Sequence, residues 1–118
     1  MSVPVPSDIK LHQQSRILEI HFGEEVFELS CEYLRVYSPS AEVRGHGPGQ
    51  EVLQVAKEQV NIKAIEPMGN YAVKLVFDDG HDSGLYTWEL LYDLGSRQEE
   101  LWDDYLDRLK KLGYTRKP

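Results

Sequence analysis

The stretch Phe77-Asp78-Asp79-Gly80-His81-Asp82-Ser83-Gly84-Leu85-Tyr86-Thr87-Trp88-Glu89-Leu90-Leu91 decides the fold, because strand, turn and helix signals follow one another in it. Tyr71, Val73, Leu75 and Phe77 alternate along the chain into it, the period of a half-buried strand. Asp79-Gly80 is a two-residue hairpin signal, since both positions tolerate positive φ, so His81 to Leu85 is predicted to fold back on the preceding strand. Thr87 then supplies a helix N-cap and Glu89 sits in the positive first turn. Leu90, Leu91 and Leu94 give that helix apolar contacts before Gly95 ends it.

Toward the C-terminus, Ser96-Arg97-Gln98-Glu99 matches a capping box, in which serine and glutamate satisfy each other's amides. Leu101, Trp102, Tyr105, Leu106, Leu109 and Leu112 form a stripe at helical spacing. Glu99, Glu100, Asp103 and Asp104 precede Arg108, Lys110 and Lys111, the order that the helix dipole favours, and Gly113 closes the helix. Toward the N-terminus, Val60, Ile62 and Ala64 alternate and Pro67-Met68-Gly69-Asn70 supplies a turn, which predicts a hairpin. Residues 51–57 fit a helix or a strand equally and receive no assignment.

Farther back, Ile9 and Leu11, then Leu18, Ile20 and Phe22, then Val26-Phe27-Glu28-Leu29 read as three short antiparallel strands with one wet face. Ser30 caps a short helix whose inward residues are Tyr33, Leu34 and Tyr37, and Ser38-Pro39 stops it because the residue before proline avoids helical geometry. From Pro39 to Gln50, three glycines and two prolines predict a long irregular loop. The fold class is therefore α+β, an N-terminal meander plus a later hairpin packed with a short helix and two C-terminal helices. One domain is expected over residues 8–114, with tails at 1–7 and 115–118.

Bulk properties narrow the function. The 118 residues suffice for one modest core, and 41% hydrophobic and 28% charged residues are ordinary globular values. A formal charge of −7 repels phosphate backbones, so nucleic acid is not an expected partner. Cys31 is the only cysteine, which excludes an intrachain disulfide and fits a reducing compartment. Its expected role is that of a small buried hydrophobe. Met1-Ser2-Val3-Pro4-Val5-Pro6 lacks a basic segment followed by an apolar run, and no window approaches a membrane span, so the expected location is the cytoplasm, away from a membrane.

Chemistry is sparse. His12 and His21 read as strand surface residues, whereas His46 and His81 fall in loop or turn surroundings. Imidazole and carboxylate suit zinc, iron or manganese, so His46 and His81 with Asp79 and Asp82 form the alternative metal site, although no paired Cys-x-x-Cys or His-x-x-x-His supports it. Cys31 with His81, or a serine with histidine and aspartate, lacks a nucleophile elbow. Gly45-His46-Gly47-Pro48-Gly49 matches neither a dinucleotide fingerprint nor a phosphate loop. Asp78 and Asp79 are explained by the turn. No catalytic residue is assigned. An interaction surface carries more weight, with Arg35, Ser38, Ser40, Arg44, His46, Tyr86 and Trp88 as its candidates and His81 beside them, because loops on rigid scaffolds and exposed Tyr, Trp and Arg are favoured for contact.

Two segments also carry a family likeness: Leu34-Arg35-Val36-Tyr37-Ser38-Pro39-Ser40-Ala41-Glu42-Val43 with the glycine-rich run after it, and Phe77 to Gly84 with Tyr86-Thr87-Trp88-Glu89-Leu90-Leu91. Together they resemble the gamma-butyrobetaine hydroxylase-like N-terminal domain family, which includes bacterial stand-alone proteins. The resemblance implies an accessory module, since related domains precede the oxygenase domain of gamma-butyrobetaine and trimethyllysine dioxygenases or are fused to P-loop ATPases carrying iron-sulfur clusters. It implies a partner of that kind, in iron-sulfur protein maturation or among oxygenases. In the dioxygenases the family pattern resembles a zinc site of three cysteines and a histidine. Here His81 matches the histidine, while Ser38, Ser40 and Val43 stand at the cysteine positions. Neutral hydroxyls and a valine do not replace thiolates, so no cofactor is expected, and zinc or iron belongs to the alternative only. The oxygenase iron motif needs a later histidine on a separate domain, and His81 is the last histidine.

Overall fold

The computed structural model describes residues 5–45 and 51–117. Two three-stranded antiparallel sheets are joined by short helices, in the order β1 (Asp8–His12), β2 (Ile17–Phe22), β3 (Glu25–Ser30), α1 (Cys31–Val36), α2 (Ala41–Arg44), β4 (Ile62–Met68), β5 (Ala72–Phe77), β6 (Leu85–Thr87), α3 (Trp88–Ser96) and α4 (Gln98–Leu112). The architecture is α+β, with the meander and the hairpin that alternation predicts. Among the described residues no helix is long and apolar enough to cross a membrane.

The first sheet has the order β1-β2-β3, and Leu18, Ile20 and Phe22 point inward from its middle strand. The second sheet, β4-β5-β6, turns Val73, Leu75 and Phe77 toward the same core. Between them lie Cys31, Tyr33 and Leu34 of α1 and Leu91 and Leu94 of α3, all part of one buried cluster. A smaller cluster of Val36, Tyr105 and Leu109 seats α4, with Leu53 and Val55 packed on it. Fully burying such side chains contributes roughly 1.5–3 kcal/mol each, so the two clusters dominate the drive to fold.

Local chemistry explains several boundaries. The Ser30 hydroxyl accepts from Tyr33 N at 3.0 Å and Thr87 Oγ1 accepts from Leu90 N at 3.1 Å, so both caps form as the sequence predicts. The capping box at Ser96 does not form. Ser96 lies inside α3 and its hydroxyl donates to the Tyr92 carbonyl at 2.8 Å, leaving Arg97 at the start of α4 without a side-chain cap. Gly95 likewise continues α3, and its missing Cβ makes room for the Phe27 ring. Leu112, placed on the inner stripe by spacing, is 62% exposed because α4 outruns the surface it covers.

The second sheet departs from simple alternation. A register shift between Ile62 and Ala64 turns Ala64 outward and Ile65 inward, so the period of two breaks there. Pro67 and Met68 stay paired, opposite Val73 and Ala72, and the turn is confined to residues 69–71. After β5 the chain does not reverse in two residues. Gly80 alone takes positive φ at the tip, the His81 carbonyl accepts from the Phe77 amide at 3.0 Å, residues 82–84 leave the ladder, and β6 pairs farther along, Leu85 opposite Lys74 and Thr87 opposite Ala72. The irregular loop after Pro39 contains one turn of helix, α2, which Ser40 caps. Residues 51–57 hold no regular element.

The described residues just outside β1 and α4 are tied down. Ser7 bonds through its amide and hydroxyl to the His21 carbonyl. Beyond α4, Arg116 clamps the carboxylate of Glu32 and lies over the Trp102 ring at 5.2 Å, while the Lys117 amide donates to Glu58 at 2.7 Å.

Candidate functional site

The turn after α1 and the loop after β5 meet and bury their polar side chains together. Ser38 has no solvent exposure and His81 is 4% exposed. Ser38 Oγ accepts from the Ser40 amide at 3.2 Å and shares a hydrogen bond with His81 Nε2 at 2.8 Å. His81 Nδ1 faces Glu42 Oε2 at 3.1 Å. Nδ1–H donates to the carboxylate, and the bond between Ser38 Oγ and Nε2 forms with either atom as donor. Ser40 Oγ caps α2 through the Glu42 amide at 3.3 Å and shares a hydrogen bond with Ser83 Oγ at 2.7 Å. Gly84 has to be glycine here: a Cβ would lie 2.5 Å from Ser38 Oγ.

An ionic cluster braces the same loop. Asp79 Oδ2 accepts from Arg35 Nε at 2.9 Å and from Lys57 Nζ at 2.8 Å, and Asp79 Oδ1 accepts from the His81 amide at 3.2 Å. Burial pushes the Asp79 carboxyl up, but Lys57, the His81 amide and Arg35 outweigh it and hold it down at about 2. Arg35 also donates to Gln54 Oε1 at 3.1 Å, so one buried guanidinium links α1, the β5–β6 loop and the 51–57 strap. Tyr86 is fully buried and donates to the Leu34 carbonyl at 2.6 Å. Desolvation raises its phenol far above the usual range.

The sequence candidates therefore separate. Arg35, Ser38, Ser40, Tyr86 and His81 come together, but as an interior network. Arg44 is exposed on α2. Trp88 is half-buried away from them, its indole N–H donating to the Asn70 carbonyl at 2.8 Å. Asp82 is exposed, and His46 lies outside the described residues. Sequence reasoning missed Glu42, Lys57 and Gln54 as partners, since nothing local marks a residue whose counterpart lies twenty to forty positions away.

The order Ser38–His81–Glu42 is that of a serine nucleophile, its base and an orienting acid. A sealed hydroxyl cannot meet a substrate, however, and Pro39, Gly84 and Tyr86 fill the space around it. The family's zinc does not fit either. Both ring nitrogens of His81 are engaged, and Ser38, Ser40 and Val43 replace thiolates. Among the described residues no three His, Cys, Asp or Glu side chains are grouped to hold a metal ion. Cys31 is buried, its thiol donating toward Asn61 Oδ1 at 3.7 Å, and desolvation raises it to about 11.

Beside this network lies a groove of about 260 Å³ between the α1–α2 segment, the strap at 51–54 and α4. Val36, Val43, Leu53 and Tyr105 give it apolar walls. Arg44, Glu51 and Arg108 stand around it, and Val52 at its edge is 51% exposed. The Val52 amide donates to the Val43 carbonyl at 2.8 Å and Tyr105 Oη donates to the Gln54 carbonyl at 2.7 Å, so the strap is fastened to both neighbours.

A model of the gamma-butyrobetaine hydroxylase-like N-terminal family matches residues 9–92, a span that runs from β1 through most of α3. The chain belongs to this family. Two proteins solved in solution by NMR share 58% and 50% sequence identity with it, each over 99% of this chain and over 88% and 93% of their own, with TM-scores of 0.84 and 0.86. A crystal structure of a protein of unknown function from Acidithiobacillus ferrooxidans, assigned to the DUF971 family, is 35% identical over 80% of this chain and 98% of its own, with a TM-score of 0.64. No curated protein matches.

Proposed function

We propose that this family member is a non-catalytic accessory module that docks a protein partner through the groove beside α2. One observation carries the reading: Ser38, His81 and Tyr86 are sealed beneath the surface, while the apolar groove next to them is open and edged by an exposed valine. At about 260 Å³ the groove falls below the ~300–1,000 Å³ of small-molecule sites and suits one or two side chains of a protein segment. The buried network then has a mechanical role. It fixes α2 and the strap, so that the groove is preformed and little ordering cost is met on docking. The family context of oxygenase domains and iron-sulfur ATPases supports partners of those kinds in the cytoplasm. Affinity capture with native protein and a Val52→Asp variant tests the reading. At least one protein should be depleted about tenfold with the variant, and identical capture profiles would sink the proposal.

A further inference from the structure

We infer, building on the docking reading, that the groove recognises a short partner segment in which an apolar anchor is followed by a carboxylate, and that Arg44 receives the carboxylate. The anchor follows from the walls, since Val36, Val43, Leu53 and Tyr105 line a space that holds little beyond one large side chain. The acid follows from charge. Arg44 has no ion-pair partner among the described residues, as Arg16, Lys63, Lys110 and Lys117 have none, but of these five it is the one that lines the groove, where it is exposed. Arg108 is already bound to Asp104 at 3.0 Å, so its charge is locally offset.

Glu51 is brought alongside α2 by the bond from the Val52 amide to the Val43 carbonyl, so it disfavours a second acid in the segment. Glu42, on the same helix as Arg44, is turned toward His81 Nδ1 and leaves the guanidinium uncompensated. A guanidinium presents a planar fork that matches a carboxylate in two hydrogen bonds, which gives direction to an otherwise apolar contact. The segment is thus oriented, with its hydrophobic residue in the groove and its acid at the α2 rim.

Fluorescence anisotropy with labelled peptides tests the assignment. The probes are Gly-Ser-Leu-Leu-Glu-Glu-Gly and the version with both acids replaced by glutamine, measured on native protein, Arg44→Glu and Val52→Asp, with thermal unfolding confirming that each variant folds. Native protein should bind the acidic peptide about fivefold to tenfold more tightly than the neutral one, and Arg44→Glu should erase or reverse that preference. A preference that survives Arg44→Glu overturns the assignment, as does the absence of any binding up to millimolar peptide. Equal binding of both peptides that is lost in Val52→Asp overturns acid recognition while leaving the docking reading intact.

Discussion

Asp79 was read in the sequence as a turn residue, and it is one, but its carboxylate also anchors Arg35 and Lys57. That second role has a pH signature. Its carboxyl drops from an ordinary 3.8 to about 2 in the folded protein, so the native state favours the ionised form. The resulting stabilisation is present above about pH 4 and is lost as pH falls through 2; a shift of this size amounts to about 2 kcal/mol. Urea unfolding between pH 5 and pH 2 should show this loss in native protein and a flatter profile in Asp79→Asn. Equal slopes would refute the assignment. Cys31 was legible as a buried hydrophobe from its isolation alone. With its thiol raised to about 11, it should react with a thiol reagent only on unfolding, which a comparison with and without denaturant checks. His81 was visible, with Asp82, as a residue of its turn able to do chemistry, yet its partners Ser38 and Glu42 were not visible as partners, because sequence distance hides which loops meet.

At the level of elements, the meander, both helix caps and the short α1 were readable because each rests on neighbours in sequence: alternation for strands, a hydroxyl three residues before an amide for caps. Elements whose limits depend on tertiary contact were misread. Gly95 looks like a helix stop, but the Phe27 ring of β3 packs against its bare backbone and α3 continues through it. Gly95→Ala separates the two views. If Gly95 were only a helix residue, alanine would add up to about 1 kcal/mol of stability. Because a Cβ would overlap the ring, overpacking of about 1–3 kcal/mol should win and lower the melting temperature by several degrees. A rise in melting temperature would count against the packing described. The bulge at Ile62/Ala64 was hidden for a similar reason, since Ala64 and Ile65 are both apolar and the alternation of Val60 and Ile62 runs on into Ala64.

Across the whole molecule, the segment beyond α4 closes the structure over α1. Glu32 is 6% exposed, and its carboxylate is satisfied by the Arg116 guanidinium. Arg116→Ala strands that charge, and because Arg116 is itself about a third exposed the cost should be on the order of 2–3 kcal/mol, below that of a fully buried pair. Chemical denaturation of the variant measures it, and a loss under about 0.5 kcal/mol would mean that water replaces the arginine freely. The same closure places α4 against the strap and completes the groove at Tyr105. The groove itself was not legible, since its walls come from three separated segments, although Arg44 beside it was singled out. Photo-crosslinking from that edge tests the docking claim most directly. A benzophenone side chain introduced at Val52 should yield a discrete heavier adduct in cell extract, while the same group at exposed Leu85 on β6 should not. Equal labelling from both positions, or none from Val52, would contradict the account.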